Sequence, residues 1–202
     1  MESFHLIIGL GNPGSKYAWT RHNVGFLAVD QLAARWSISL REEGKFEARM
    51  GLCRFGARRV LLAEPLTFMN ASGAAVRRLK DYYQVPAGQL MVVVDDADLP
   101  LGEVRLRPSG GSGGHHGLES LQEHMGDAEF ARLRVGIGRG NGLREITGHV
   151  LGEFRKEDEG VLNAVLKRAS DQVECWLESG IQKAMNNFNG MVDHPENKGT
   201  GQ

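Results

Sequence analysis

Residues 4–23 read FHLIIGLGNPGSKYAWTRHN and join an apolar, strand-like run to the start of a helical pattern. The glycines follow the Gly-x-Gly-x-x-Gly spacing of a dinucleotide-binding turn. That spacing holds a pyrophosphate when the third glycine opens a helix whose free N–H groups face the ligand. Here the apolar periodicity begins at Val24, about ten residues later, and Pro13 removes one donor. The stretch therefore argues against a nicotinamide or flavin site.

Polar side chains surround this turn. Asn12 lies beside Pro13 and Gly14, at the carboxyl end of the first predicted strand, where open α/β sheets bind ligands. Asn23 stands at the N-cap position of the next helix, with His22 just outside it. We therefore expect His22 to face the same crevice as Asn12. The alternative is a histidine that only hydrogen-bonds the loop.

A second predicted strand also ends on a polar residue. Residues 90–94 read LMVVV, an apolar and β-branched run typical of a buried parallel strand. Asp95 follows at once, where a carboxylate can orient a histidine and stabilise its protonated form. Asp96 and Asp98 add carboxylates of the kind that bind Mg²⁺ or Ca²⁺. Because Asp96 points away from Asp95 in an extended segment, we expect no metal site.

Several blocks of the sequence together resemble the signature of one known family. They are GLGNPG (residues 9–14), Tyr17, TRHNVG (20–25), TFMNASG (67–73), DDADLPLG (95–102), GGSGGH (110–115) and RLRVGIG (132–138). In this order they resemble the bacterial peptidyl-tRNA hydrolase family. The resemblance extends from Leu6 to Phe154, and the C-terminal helical segment also fits.

The resemblance implies hydrolysis of the ester between a peptide's terminal carboxyl and the ribose of tRNA, in peptidyl-tRNAs released prematurely from ribosomes. It implies that His22 is the general base, that Asp95 keeps the imidazole oriented and basic, and that Asn12 positions substrate or water. The substrate-binding residues that it implies are Tyr17, Phe68, Met69, Asn70, His115 and His116. The basic positions that it links to the terminal 5′ phosphate of the tRNA are Arg107 and Arg134.

Elementary chemistry agrees with this assignment. An acyl ester is already activated, so a positioned base with donors for the developing oxyanion suffices, and we expect neither a metal nor another cofactor. Imidazole, with an unperturbed pKa of roughly 6.5, suits a base near neutral pH. A covalent nucleophile has weaker support, because Cys53 and Cys175 lie in strand-like and helical segments typical of buried, inert thiols. Ser112 lies in a glycine-rich loop after a strand, where we expect no nucleophile elbow.

Two positions depart from the family pattern. His116 stands where the family usually has asparagine, and Ser112 stands where a histidine is common. A neutral imidazole offers one donor and one acceptor on a larger ring, so a substrate contact or water-orienting role can survive at altered strength. The departures affect the expected substrate contacts and leave His22 and Asp95 in place.

The charge balance bears on RNA binding. There are 24 Lys and Arg residues against 25 Asp and Glu, and the net charge of −1 gives no global attraction to a polyanion. Arginines are nevertheless spaced two apart on two predicted strands, at Arg105 and Arg107 and at Arg132 and Arg134. Each pair therefore projects to one face. A solvated arginine face is the alternative to a phosphate site.

Length and pattern predict a single α/β domain over residues 1–190, with a twisted, mixed but mostly parallel sheet flanked by helices on both faces. The predicted strands are Leu6–Leu10, Phe46–Cys53, Val60–Ala63, Met91–Val94, Val104–Arg107 and Leu133–Ile137. The predicted helices are Val24–Trp36, Ser72–Tyr83, Gly117–Met125, Gly160–Leu177 and Ile181–Asn187. Residues 191–202 form a polar tail that we expect to be disordered.

Other features narrow the setting. The sequence shows no signal segment, no apolar run long enough for a bilayer and no internal repeat, so we expect a cytoplasmic protein with no membrane partner. The family resemblance implies peptidyl-tRNA as the partner, and we expect a monomer. A catalytically silent RNA-binding relative of the same fold is the alternative function. Asn12, His22, Asn70 and Asp95 are all present, which favours the enzyme.

Overall fold

The structure, a computed structural model, describes residues 4–126, 129–139 and 146–193. Its strands are β1 (Phe4–Gly9), β2 (Arg41–Glu43), β3 (Ala48–Phe55), β4 (Arg58–Pro65), β5 (Leu90–Asp96), β6 (Glu103–Arg107), β7 (Ala131–Gly136) and β8 (Gly190–Met191). Its α-helices are α1 (Val24–Arg35), α2 (Ser72–Tyr82), α3 (His116–Met125), α4 (Ile146–Leu151), α5 (Glu159–Ser179) and α6 (Ile181–Phe188).

The strands form one mixed sheet in the order β2-β3-β4-β1-β5-β7-β6-β8. The centre is parallel, because β1 pairs in parallel with β4 and β5, and β5 pairs in parallel with β7. The outer pairs are antiparallel. The carboxyl ends of β1 and β5 therefore meet at one edge of the sheet, which is the ligand position of open α/β sheets.

Each face of the sheet carries its own apolar core. Ile7, Val93 and Leu133 belong to a cluster that also contains buried residues of α1 and α5. Leu6 and Val92 point the other way, into a cluster with residues of α2 and α3. This alternation along apolar strands is what a buried parallel sheet requires. The predicted α/β architecture with helices on both faces is confirmed.

Two glycines allow α1 to lie directly on the sheet. A Cβ atom added at Gly9 would lie 2.1 Å from the carbonyl oxygen of Gly25. A Cβ atom added at Gly25 would lie 2.5 Å from the backbone nitrogen of Leu10 and from the carbonyl oxygen of Val93. These glycines serve the close contact between the main chains of α1, β1 and β5. As expected from its late apolar periodicity, α1 begins only at Val24, after two short 3₁₀ turns at Ser15–Tyr17 and Arg21–Asn23.

Some boundaries differ from the sequence-based prediction. The strand β2 was not predicted, because all three of its residues are exposed and charged. The short helix α4 was also not predicted. The predicted tail begins too early: Met191 pairs with Glu103 in the sheet, and the next residue, Val192, is buried. The rest of the predicted tail, from position 194 onward, lies outside the described residues.

Within the described ranges, we find no helix with the length and hydropathy needed to cross a membrane.

Candidate active site

A cavity of about 510 Å³ lies at the carboxyl edge of the sheet. Asn12 follows β1, His22 lies on the 3₁₀ turn before α1, and Asp95 is the penultimate residue of β5. The predicted site residues that line the cavity are Asn12, His22, Phe68, Met69, Asn70, Asp95, His115, His116 and Arg134. Parallel pairing of β1 with β5 thus brings together side chains that are far apart in the sequence.

His22 and Asp95 are in direct contact. Nδ1 of His22 lies 2.8 Å from Oδ1 of Asp95, and both residues are buried, with exposed fractions of 8% and 5%. Because a carboxylate can only accept, Nδ1 of His22 carries the proton and donates it. Nε2 of His22 is therefore left with its lone pair, and no described residue hydrogen-bonds it. His22 does more than hydrogen-bond its own loop, the alternative that its sequence position left open.

His115 is a second histidine on the same carboxylate. It is the N-cap of α3, and its Nδ1 accepts hydrogen bonds from the backbone N–H groups of Gly117 at 3.1 Å and Leu118 at 3.3 Å. A nitrogen that accepts carries no proton, so the neutral ring is protonated at Nε2. That nitrogen lies 2.9 Å from Oδ1 of Asp95 and donates to it. Both nitrogens of His115 are thus occupied, and only its ring remains to contact a substrate.

The environment of Asp95 keeps it ionised. Its burial favours the neutral carboxyl, but the electrostatic attraction and hydrogen bonds of His115 and His22 outweigh burial and hold the pKa of Asp95 well below its usual range. Asp95 is therefore a buried negative charge through the neutral pH range. Such a charge favours the imidazolium form that a histidine base acquires when it takes a proton.

Asn12 is fixed from two sides. Its side-chain oxygen accepts from the backbone N–H of Met69 at 2.9 Å. Its own backbone N–H donates to Oδ1 of Asn23 at 2.9 Å, and its carbonyl accepts from Nδ2 of Asn23 at 3.0 Å. The amide group of Asn12 is then free to donate, since no described residue accepts from it. Asn23 occupies the N-cap position as predicted, but its side chain does not cap the helix because it holds the Asn12 turn.

The remaining predicted substrate contacts line the cavity unevenly. Met69 is buried, whereas Phe68, Asn70 and His116 are exposed at its walls. Nδ1 of His116 lies 3.0 Å from a carboxylate oxygen of Glu119, in the same helix. Tyr17 does not line this cavity.

The position of Tyr17 has a local explanation. Its short 3₁₀ turn places the ammonium group of Lys16 4.7 Å from the centre of its ring, and its carbonyl accepts from the Thr20 hydroxyl at 2.9 Å. The structure therefore places Tyr17 in the loop beside the site and outside its lining.

The aspartates that follow β5 do not converge on one point. Oδ1 of Asp96 accepts from the backbone N–H of Asp98 at 2.9 Å, and Oδ2 of Asp96 lies 2.9 Å from Nε of Arg134. Asp98 instead pairs with Arg139 at 2.7 Å. The three carboxylates are therefore unsuited to a shared Mg²⁺ or Ca²⁺ ion.

His22, Asp95 and His115 have the spacing of a metal site, since their ligand atoms lie within 4.8 Å of one another. The chemistry of His115 does not fit that role. To ligate a metal through Nε2, a neutral ring must carry its proton on Nδ1, but Nδ1 accepts two backbone hydrogen bonds. The hydrogen-bonded arrangement satisfies both nitrogens of His115 without such a conflict.

The four predicted arginines share one face of the sheet. The antiparallel register places Arg105 opposite Arg134 and Arg107 opposite Arg132. Directly opposite residues project to the same side, so the two pairs predicted from spacing combine into one group. Arg134 lines the active-site cavity, whereas Arg107 is exposed and lies outside its lining.

Two of these arginines are engaged by residues outside the cavity lining. The guanidinium of Arg132 is stacked 4.6 Å from the ring centre of Phe130 and donates to the carbonyl of Gly111 at 2.7 Å. Arg105 pairs with Glu103 at 2.7 Å. Arg107 and Arg134 are therefore better placed for an external phosphate, although Arg134 must share its charge with Asp96.

The alternative nucleophiles lie in unsuitable surroundings. Both cysteines are free and half-buried, and burial raises the pKa of the Cys53 thiol. Residues 110–114 read GGSGG and do match the Gly-x-Ser-x-Gly pattern. However, the Ser112 hydroxyl accepts from the backbone N–H of Gly114 at 3.2 Å and contacts no histidine within the described residues. The Ser112 hydroxyl also lies 3.5 Å from a carboxylate oxygen of Glu119, and no described residue hydrogen-bonds the thiol of either cysteine. Neither residue type thus has the adjacent histidine that would activate it as a nucleophile.

Comparison with known proteins places this geometry in a family. The sequence profile of the peptidyl-tRNA hydrolase family matches residues 6–198. A peptidyl-tRNA hydrolase of Synechococcus sp. (strain JA-3-3Ab) is 50% identical over 189 residues, which cover 93% of this chain and 83% of that protein. One from Syntrophomonas wolfei subsp. wolfei is 45% identical over 184 residues, covering 91% and 99%.

Solved structures agree with the sequence comparison. The crystal structure of a peptidyl-tRNA hydrolase from Acinetobacter baumannii superimposes with a TM-score of 0.89 at 36% identity, covering 95% of this chain and 97% of that chain. The shared fold, the matched sequence blocks and the histidine–aspartate contact at the sheet edge all point to one conclusion. This chain belongs to the peptidyl-tRNA hydrolase family.

Proposed function

We propose that this protein hydrolyses the ester between peptide and tRNA, with His22 as the general base. The observation that carries the proposal is the 2.8 Å contact of His22 Nδ1 with Asp95, which leaves Nε2 unprotonated in a protein whose relatives are named for this reaction. A water molecule bound between Nε2 and the ester carbonyl is then positioned for attack.

The proton transfers follow from this arrangement. As the water oxygen bonds to the carbonyl carbon, its proton passes to Nε2 of His22, and the ring becomes an imidazolium stabilised by Asp95. The free amide of Asn12 donates to the carbonyl oxygen as negative charge develops there. When the bond to the ribose oxygen breaks, His22 returns the proton to that oxygen. The products are a free peptide carboxyl and a tRNA hydroxyl.

We assign the walls of the cavity to the peptide. Phe68 and Met69 offer apolar contact to the peptide, and Asn70 and His116 offer polar groups to its backbone. His115 acts chiefly through Asp95, because both of its nitrogens are already bonded. The substrate contact that the family resemblance implies for His115 is then made by its ring.

The test of the function is a turnover assay with peptidyl-tRNA. We expect release of free peptide and tRNA with multiple turnovers and without added metal. The alternative, a silent RNA-binding relative, would bind peptidyl-tRNA with no product. We place the reaction in the cytoplasm, where translation produces peptidyl-tRNA, and propose that the protein acts as a monomer, which sedimentation at assay concentration checks.

We further propose that Arg107 and Arg134 hold a tRNA phosphate. Both lie on one sheet face, one exposed and one at the cavity wall. Replacing both with alanine should raise KM for peptidyl-tRNA by about tenfold or more and flatten the salt dependence of binding. Cleavage of a minimal ester substrate without the tRNA body should be nearly unchanged.

The matched control removes the same charge elsewhere. Arg77 and Arg78 are exposed on α2 and pair with Asp81 and Glu47 outside the cavity, so their double alanine variant should keep the parent KM and salt slope. Equal losses on full and minimal substrates in the Arg107 and Arg134 variant would place these arginines in the catalytic scaffold. An unchanged salt slope would locate the phosphate contact elsewhere.

A further inference from the structure

A second groove, of about 610 Å³, shares Asn12 with the active-site cavity. It runs along α1 and is bounded by strands β2 to β4 on one side and by α5 on the other. Its floor contains a buried carboxyl group, Glu64, and the mechanism proposed above uses none of the charged residues in it.

Glu64 is an unusual buried acid. Its exposed fraction is 1%, and its Oε2 accepts from Nε of Arg49 at 2.8 Å. Its other oxygen, Oε1, has no hydrogen-bond partner among the described residues. A buried carboxylate oxygen without a donor is costly, because it has lost water and gained nothing in exchange. Oε1 therefore lacks the donor that its burial calls for, in a residue that lines the groove.

The charges around Glu64 favour a cation. Asp30 of α1, Glu42 of β2 and Glu64 contribute three carboxylates, and Arg49 of β3 contributes one guanidinium, which also pairs with Asp30. The residues that α5 contributes to the lining are uncharged. With Glu64 ionised, the groove thus carries an excess of two negative charges, which one bound cation would reduce.

The pKa of Glu64 lies close to neutral pH, so binding of a cation can change its protonation. Burial raises the pKa of Glu64 to about 7. The hydrogen bond from Arg49 lowers this pKa, and the nearby negative charge of Asp30 raises it. Near neutral pH the empty groove therefore holds a mixture of carboxyl and carboxylate. A cation at Oε1 selects the carboxylate and releases a proton.

We propose that this groove binds a primary ammonium group carried on an apolar chain, with Oε1 of Glu64 as its buried acceptor. The apolar part of the ligand has walls to pack against, formed by Phe26, Leu27, Leu66, Leu162 and Leu166. Trp19, 63% exposed at the same groove, offers an indole face to the cation.

Other cations fit the groove less well. A divalent metal needs several oxygen ligands, whereas Oε2 of Glu64 and Oδ1 of Asp30 already accept from Arg49. The guanidinium of Arg49 would also repel a dication. A guanidinium ligand presents a planar fork that matches both oxygens of one carboxylate, but one oxygen of Glu64 already accepts from Arg49. An ammonium group needs one such oxygen and can turn its other N–H bonds outward.

Direct binding tests the site without any catalytic turnover. Titration calorimetry compares phenethylammonium with 2-phenylethanol, which has a similar shape and no charge, at pH 6 and pH 8. Because alkylammonium groups stay protonated over this range and no histidine lines the groove, Glu64 is the groove residue whose charge changes. We expect phenethylammonium to bind about tenfold more tightly at pH 8, where Glu64 is ionised, and 2-phenylethanol to show no such change.

Two variants isolate the carboxylate. Glu64→Gln should lose about tenfold or more of the amine affinity at pH 8, together with the pH dependence. Glu178→Gln removes an exposed carboxylate outside the groove and should bind like the parent. The parent protein alone can refute the proposal, whether or not the Glu64 variant folds. Either equal affinity for phenethylammonium and 2-phenylethanol or an amine affinity that does not change with pH would overturn it.

The ammonium group that binds in the groove can belong to a free amine or to the amino terminus of a substrate peptide. The second source rests on the proposed function, because it requires the peptide to pass from the cavity over Asn12. If phenethylammonium inhibits peptidyl-tRNA hydrolysis competitively, the natural occupant of the groove is the amino group of the substrate peptide. If the inhibition is non-competitive, the natural occupant is a free amine. Both outcomes support the site, and the calorimetric result stands even if the protein proves to have no hydrolase activity.

Discussion

His22→Ala is expected to lower kcat for peptidyl-tRNA by about a hundredfold or more, which corresponds to about 3 kcal/mol of transition-state stabilisation. The variant lacks the nitrogen that takes the proton of the attacking water. Substrate binding should change little, because His22 is buried and the peptide contacts are assigned to other residues of the cavity lining. Single-turnover kinetics with saturating enzyme measure the chemical step directly.

The control for this experiment is His124→Ala. His124 lies on α3, outside the cavity lining, so its loss should leave kcat near the parent value. Thermal unfolding of both variants establishes that each is folded at the assay temperature. Near-normal cleavage by folded His22→Ala protein would falsify the general-base assignment.

Asp95→Asn should lower kcat by about a hundredfold while KM stays close to that of the parent. The side chain of asparagine has the same shape, and its oxygen can still accept from both His22 Nδ1 and His115 Nε2, since both contact the same oxygen of Asp95. The tautomer of His22 is then preserved. What is lost is the negative charge that stabilises the imidazolium.

This prediction separates charge from geometry. A drop in kcat with an intact fold supports an electrostatic role for Asp95. An effect on KM alone would indicate that Asp95 serves substrate binding. Parent-like kcat would show that orientation of the ring, rather than charge, is the contribution of this residue.

The central elements of the fold were predictable because their sequence signals are local. The apolar runs of β1 and β5 mark buried parallel strands, and their carboxyl ends place Asn12 and Asp95 at one edge. The strand β2 could not be predicted in this way. All its side chains are exposed, and its conformation depends on pairing with β3, as in Arg41 opposite Met50.

Parts of the site depend on contacts that no local pattern reports. The hydrogen bond between His115 and Asp95 joins the N-cap of α3 to the end of β5, 20 residues away in the sequence. Its signal, a histidine immediately before a helix, indicates a cap and says nothing of the carboxylate on the other side of the ring. Likewise, the contact of Arg49 with Glu64 depends on the register of β3 with β4, which places these residues opposite each other. The alternation of polar and apolar residues alone does not determine which residues of two strands lie opposite each other.

The contact of Gly25 with the sheet has a consequence for the precision of catalysis. Gly25 is three residues after His22 and touches the carbonyl of Val93, which is two residues before Asp95. The separation of the two main-chain segments that carry His22 and Asp95 is thus set by a direct backbone contact, with no side chain between them. Thermal repacking of the two cores can alter many side-chain positions without altering that separation, so the hydrogen bond between His22 and Asp95 should keep its length as the temperature rises toward unfolding.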